Sequence, residues 1–363
     1  VVAIVGSRSQ EDIKGYVLNR AYQSYRQPGS CIKPLNVYTP YLQLGNTPDT
    51  KVTDSQIDGG PANADASYAG EMTLTDAVKW SKNTVAWNIY QQITPKTGSS
   101  FLIKMGFHKI WVDKDYNAGA LGGFTYGVTT EEMAGGYAAL ANDGVYRKAT
   151  CIRLIVDASN KTVVNETNRD SKVYDKSASR MMTQMLREVV LSGTGTSANV
   201  ENAVVAGKTG TTNASKDVWF CGYSKYYTTT VWAGYDYPKE MSGVNSRVNA
   251  IFKDFMTAVH TNLPVTDFST VTQQTTQPET TAAVQEETQS LPQETTAIVP
   301  ETTGIEQVTP QQVPSTTAQV PTTTPYQRWT TAPAQPKTTA PMQYGDIDAT
   351  TRTDPDATAR GEW

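Results

Sequence analysis

Val204-Val205-Ala206-Gly207-Lys208-Thr209-Gly210-Thr211-Thr212-Asn213 is an apolar run that ends in a lysine, two hydroxyls and a glycine. Its first half reads as a buried strand, predicted over Val204 to Lys208. Two further strand-like segments follow closely, Val218 to Tyr223 and Thr228 to Tyr235, and links this short favour antiparallel neighbours. A helix predicted from about Val244 to Val259 would cover one face of that sheet. Lys208 and Thr209 offer a cation and a hydroxyl to a carboxylate. Gly210 lets another backbone lie close to the strand. K-T-G-T is expected by chance on the order of once in a hundred domains of this size.

Working outward, Val1 to Gly6 reads as a short buried strand, and Ile152 to Val156 with Thr162 to Val164 as a hairpin about Ser159-Asn160. Helices are predicted from the entry Pro28-Gly29-Ser30 towards Leu44, from Thr73 to Ile93 with Pro95 and Gly98 closing it, and from Asp175 to Leu191. A further one, Thr129 to Leu140, carries a capping-box pair in Thr129 and Glu132, with Gly144 just past its end. The outline is an α/β fold, an antiparallel sheet flanked by helices with a helical subdomain.

Composition divides the 363 residues near Leu263. Residues 1–263 hold enough apolar sequence for a substantial core. Residues 264–363 contain one leucine, Leu291, and are dominated by Thr, Pro and Gln, so they are expected to be a disordered, low-complexity spacer. That tail has twelve acidic and four basic side chains against a whole-chain net charge of −4. The remainder is thus weakly positive without basic runs, which argues against nucleic acid as a partner. Cys31, Cys151 and Cys221 lack C-x-x-C spacing and read as small buried hydrophobes. The two histidines, His108 and His260, form no H-E-x-x-H or comparable cluster, so a metal hydrolase is not expected. There is no apolar span of membrane length and no signal peptide, and the chain opens without Met inside a predicted strand. It is expected to be a fragment of a longer protein.

So few histidines make a Ser-His-Asp triad improbable, and lysine is the usual substitute base. S-x-x-K occurs once, as Ser30-Cys31-Ile32-Lys33, at a predicted helix start where both side chains share a face. Burial and the positive end of the helix would both push Lys33 towards the neutral amine. On its own the pattern is weak, since about one is expected by chance in such a domain. S-x-N occurs as Ser81-Lys82-Asn83 and as Ser197-Ala198-Asn199. The first interrupts a helical stretch, as a cleft-lining loop would. The second is too near Lys208 to face it across a cleft.

In order and spacing these elements resemble the penicillin-recognising serine enzymes. Their flanks, Arg26-Gln27-Pro28-Gly29-Ser30 with Lys33-Pro34, Leu121-Gly122-Gly123, Gly127-Val128-Thr129 with Glu132-Met133-Ala134, and Ala206 to Asn213 with Trp219-Phe220 and Trp232-Ala233-Gly234-Tyr235-Asp236, are similar to class A penicillin-binding proteins. The resemblance covers nearly all of residues 1–263. It implies a β-lactamase/transpeptidase-like fold and a serine D,D-transpeptidase that cross-links peptidoglycan stem peptides and is inhibited by β-lactams. By the same resemblance Ser30 is the nucleophile, Lys33 its base and Ser81 a proton relay. Asn83 holds the substrate amide, Lys208 and Thr209 bind the terminal carboxylate, and Gly210 and Thr211 line the site, with the N–H groups of Ser30 and Thr211 as oxyanion hole. The partners implied are a D-Ala-D-Ala donor, an amine acceptor and β-lactams, and the resemblance implies no metal or organic cofactor. The implied location is the extracytoplasmic face of the cell membrane, held by a missing N-terminal anchor beside a peptidoglycan glycosyltransferase domain. A β-lactamase or D,D-carboxypeptidase on the same fold, or a non-catalytic penicillin sensor, are the competing readings. Cys31 falls at a variable position of the motif.

Overall fold

The computed structural model describes residues 18–165 and 170–270, so the strand expected over Val1 to Gly6 and most of the Thr- and Pro-rich tail lie outside the described residues. Its helices are α1 Arg20–Gln23, α2 Thr39–Gln43, α3 Leu74–Lys79, α4 Asn83–Ile93, α5 Pro95–Lys104, α6 Thr130–Ala141, α7 Lys176–Ser192 and α8 Val244–Val259. Its strands are β1 Lys51–Asp54, β2 Gly70–Thr73, β3 Val145–Arg147, β4 Leu154–Val156, β5 Thr162–Asn165, β6 Asp170–Lys172, β7 Ala206–Thr211, β8 Asp217–Tyr223 and β9 Thr228–Gly234.

The antiparallel sheet β7-β8-β9 is the frame of the molecule, with Lys208 opposite Cys221 and Gly210 opposite Trp219. Every residue of β8 is buried. Alternation sends its side chains to two cores. Trp219, Cys221 and Tyr223 join the main core with Tyr137 of α6, while Val218 and Phe220 join a second core with Val248, Phe252 and Met256 of α8. Phe220 and Phe252 meet with ring centroids 4.5 Å apart.

Helices α6, α7 and α8 and the β4–β5 hairpin form where the sequence indicates, and the capping box at Thr129 is complete, with Thr129 and Glu132 each bonding the other's backbone N–H. The helical stretch expected over Thr73 to Ile93 is interrupted at Ser81-Lys82-Asn83, as the sequence suggests. The chain makes α3, breaks at Trp80–Lys82 with Ser81 at φ +58°, and restarts as α4. Pro95 opens a helix instead of closing one: Thr94 leaves α4 at φ +68°, then caps α5 by accepting the Thr97 N–H. A proline lacking its N–H fits a first helical position at no cost.

Cys31 and Cys221 are buried as expected, whereas Cys151 is exposed in the loop before β4. Beyond Leu263 the packed chain continues. Phe268 lies edge-on to Tyr223 at 5.5 Å, Thr266 meets the Tyr226 hydroxyl at 2.7 Å, and the Thr270 carbonyl accepts from Arg180. No helix among the described residues is long and apolar enough to cross a membrane.

Candidate active site

Ser30 sits in a single 3-10 turn, Gly29–Ile32, which runs through a π turn at Pro34–Tyr38 into α2. The expected α-helix is therefore three helical types in succession. The Lys33 N–H closes the turn by donating to the Ser30 carbonyl, which leaves the two residues three positions apart on one side of the chain. The segment is anchored ahead of the serine. Arg26 pairs with Val128 through two backbone bonds of 2.8 Å, the Gln27 side-chain amide bonds the Phe124 backbone in both directions, and the Gln27 carbonyl accepts from Trp219 Nε1 at 2.8 Å. Behind the serine, Tyr137 donates to the Cys31 carbonyl at 2.7 Å.

Strand β7 runs directly along this turn, and glycine makes the approach possible. A Cβ on Gly210 would lie 2.5 Å from the Pro28 carbonyl oxygen and 2.8 Å from Cys31 Sγ. One on Gly29, at φ +52°, would lie 2.8 Å from the Thr211 carbonyl oxygen. Bare backbone on both sides therefore brings the peptides of Ser30 and Thr211 side by side. The Cys31 thiol is fully buried and donates to the Lys208 carbonyl at 3.1 Å.

Lys33 and Lys208 are both fully buried. Lys33 Nζ is 2.7 Å from Asn83 Oδ1, 2.9 Å from the Ser81 carbonyl and 3.4 Å from the Lys82 carbonyl, with no carboxylate among these partners. Burial, then the charge of Lys208, holds its pKa well below the ordinary lysine range. The neutralising influence is thus burial and a neighbouring cation, where the sequence also suggested the helix end. All three partners of Lys33 Nζ are hydrogen-bond acceptors. Burial also lowers Lys208, to about 8. Its Nζ donates to the Thr209 carbonyl at 3.1 Å, and the Thr209 hydroxyl meets that of Thr194, from the Gly- and Thr-rich loop, at 2.7 Å.

The structure therefore joins Ser81 and Asn83 to Lys33, sets Lys208 near enough to bias that amine, and brings Gly210 and Thr211 against the Ser30 turn. The second S-x-N stands apart, Ser197 accepting from Asn249 of α8 at 2.8 Å. Another K-T-G triplet, Lys96-Thr97-Gly98, lies in α5, where Gly98 packs on Tyr90 and Asn36. Asp54, Asn63 and Lys82, which brace the Ser81–Asn83 turn, carry no motif by which sequence reading could find them. No group of three His, Cys, Asp or Glu side chains able to hold a metal ion occurs among the described residues.

Solved structures establish the class, an α/β protein of the β-lactamase/transpeptidase type. The crystal structure of penicillin-binding protein 1A from Haemophilus influenzae superposes with a TM-score of 0.57 at 25% identity, covering 69% of this chain and 45% of that one. PonA1 from Mycobacterium tuberculosis in complex with penicillin V gives 0.58 at 21%, over 70% of this chain and 73% of that one, a likeness of fold alone. Residues 1–257 match the penicillin binding protein transpeptidase domain, and the chain belongs to that family. Penicillin-binding protein 4 of Bacillus subtilis is 35% identical over 251 residues, 68% of this chain and 40% of the relative. Penicillin-binding protein 1A of Aquifex aeolicus is 37% identical over 284 residues, 74% of this chain and 37% of the relative. The chain thus spans about two fifths of the length of these curated relatives.

Proposed function

We propose that this domain is a serine D,D-transpeptidase that joins peptidoglycan stem peptides through an acyl-enzyme on Ser30, and that β-lactams inhibit it by acylating the same serine. The observation that supports this most is the buried Lys33 amine, held by the Ser81 carbonyl and Asn83 Oδ1 one turn from Ser30. Ser30 Oγ attacks the carbonyl carbon of the penultimate D-alanine and its proton passes to Lys33 Nζ. The N–H groups of Ser30 and Thr211 take the negative charge that develops on the carbonyl oxygen, a stabilisation whose loss costs about 100-fold or more in such sites. The C–N bond then breaks, the departing D-alanine amine receives its proton by way of Ser81, and an ester remains on Ser30. An amine of a second stem peptide attacks that ester to form the cross-link and returns the serine its proton. Lys208 as ammonium, with Thr209, holds the terminal carboxylate, and Gly210 lets the donor peptide lie along β7 as an added strand.

In the longer protein the domain would work on the extracytoplasmic face of the cell membrane, beside an anchor and a glycosyltransferase domain, with residues beyond the folded domain acting as a solvated spacer. Intact-mass measurement after incubation with a penicillin tests the assignment. One adduct per chain is expected for the wild type, none for Ser30→Ala, and a strongly slowed one for Lys33→Ala. Stoichiometric labelling of Ser30→Ala, or near-normal labelling of Lys33→Ala, would overturn it.

A further inference from the structure

Helix α4 begins at Asn83, and its N-cap residue, Lys82, makes no capping hydrogen bond with its own side chain. First-turn N–H groups have no partner within a helix and must find one elsewhere. Here it comes from the loop between β1 and β2. The Asn83 N–H donates to Asn63 Oδ1 at 2.7 Å and the Thr84 N–H to the same atom at 3.3 Å. Asn63 is itself only 5% exposed. Its other end donates to Asp54 Oδ1 at 2.6 Å and to the Ser67 carbonyl at 2.8 Å.

Asp54 has no solvent exposure and gathers four donors. Besides Asn63 these are the Thr84 hydroxyl at 2.5 Å, the Ala69 N–H at 2.9 Å and the Lys82 ammonium at 3.3 Å. Burial alone would push this carboxyl up, but the bonds from Thr84, Ala69, Asn63 and Lys82 outweigh it and hold the group below its ordinary range. Lys82 also pairs with Asp65 at 3.0 Å, and Asn83 Nδ2 donates to the Ala62 carbonyl at 2.9 Å. The loop thus grips the Ser81–Asn83 turn from one side. The oxygens on the other side, the Ser81 carbonyl and Asn83 Oδ1, are those that hold Lys33. An ionised carboxylate only accepts hydrogen bonds, so Asp54 compels the Asn63 amide to turn its NH₂ inward and its oxygen towards the Asn83 N–H.

We infer that Asn63 and Asp54 are positioning residues for acyl transfer: Asn63 fixes the Ser81–Asn83 turn against Lys33, and Asp54 fixes the orientation of Asn63. This rests on the reading of Ser30 and Lys33 proposed above. Neither residue touches substrate in this scheme. A displacement of about 1 Å at such a site costs on the order of 100-fold in rate.

The test is the kinetics of acylation by a chromogenic penicillin analogue. It gives the maximal rate constant, the half-saturating concentration and the fraction of chains acylated. For Asn63→Ala and for the isosteric Asp54→Asn, the maximal rate constant is expected to fall roughly 10- to 100-fold, with the half-saturating concentration within about threefold and the acylated fraction intact. Asn63→Asp, which sets two carboxylates against each other across the 2.6 Å contact, should be slowed likewise. The double exchange Asp54→Asn with Asn63→Asp restores one amide and one carboxylate, and should recover about tenfold of that loss. A residue that merely holds the fold together would lower the acylated fraction and the melting temperature while leaving the rate constant of the folded chains unchanged. That result, or unaltered rate constants in both single variants, overturns the inference while leaving the assignment of Ser30 intact. If Asn63→Ala does not fold, Asp54→Asn and the double exchange decide the matter. A wild-type chain that is not acylated at all overturns the underlying reading and this inference with it.

Discussion

Gly210→Ala is the substitution on which the geometry bears most directly. The added Cβ would lie 2.5 Å from the Pro28 carbonyl oxygen, 2.8 Å from Cys31 Sγ and 3.0 Å from the Cys31 backbone nitrogen. Ordinary contact begins at 3.4 Å, so β7 and the Ser30 turn must separate by about 0.9 Å at the tightest point. Two of the three obstacles are backbone atoms held on both flanks, by the Arg26–Val128 bridge and by the Trp219 bond to Gln27, and no side-chain rotation relieves them. Overpacking of this kind costs about 1–3 kcal/mol of stability. It also draws the Thr211 N–H away from the Ser30 N–H, so a loss of roughly 100-fold in acylation rate is expected. Gly243→Ala is the control: at φ +64° with nothing within 4 Å of its Cβ, it carries only about 1 kcal/mol of backbone strain and should acylate at the wild-type rate. Rapid-mixing kinetics with a chromogenic penicillin analogue, alongside thermal melts, measure both effects. A Gly210→Ala rate within threefold of wild type would refute the claim that the site depends on this backbone contact.

Lys208 titrates near 8 because it is buried, so capture of a carboxylate ligand should be level below that pH and weaken by up to about tenfold per unit above it, read from the half-saturating concentration. Its folded pKa lies below the ordinary 10.5, so the unfolded chain binds the extra proton between those values and the stability contributed by this group should rise with pH over the same window. A half-saturating concentration level from pH 7 to 10 would show that the ammonium is not the carboxylate's partner. Ending the chain after Leu263 removes the Phe268 contact with Tyr223 and the Thr266 bond to Tyr226, for a loss of about 1–3 kcal/mol and several degrees in melting temperature, whereas ending it after Thr270 should cost nothing measurable. Equal melting temperatures for the two truncations would make the 264–270 contacts incidental. The penicilloyl ester should last many minutes after free drug is removed, because the Glu132 carboxylate is committed to the Thr129 and His108 N–H groups at 2.8 and 2.7 Å and the chain has no E-x-x-L-N segment. Release within seconds, followed by mass spectrometry, would mark a β-lactamase.

Amphipathic period, caps and turn chemistry are local, and what depends on them was legible in the chain itself: α6 with its capping box, α7, α8, the β4–β5 hairpin and the three strands β7, β8 and β9, the first of which carries Lys208-Thr209-Gly210-Thr211. The candidate residues Ser30, Lys33, Ser81, Asn83 and Lys208 were likewise readable, because S-x-x-K, S-x-N and K-T-G keep their reactive groups within four residues. Tertiary structure decided the rest. The start of α5 at Pro95 does not follow from the residues alone, since it depends on a positive φ at Thr94 that nothing local demands. Packing sets Ser81 and Asn83 against Lys33 and Gly210 against the Ser30 turn, and leaves Ser197-Ala198-Asn199 and Lys96-Thr97-Gly98 elsewhere. The sequence could say that a lysine stood one turn from a serine. That its amine is stripped of water, biased by a second buried lysine and held by a turn braced from Asn63 and Asp54 is a matter of long-range packing, because desolvation and Coulomb energy depend on neighbours in space and not along the chain.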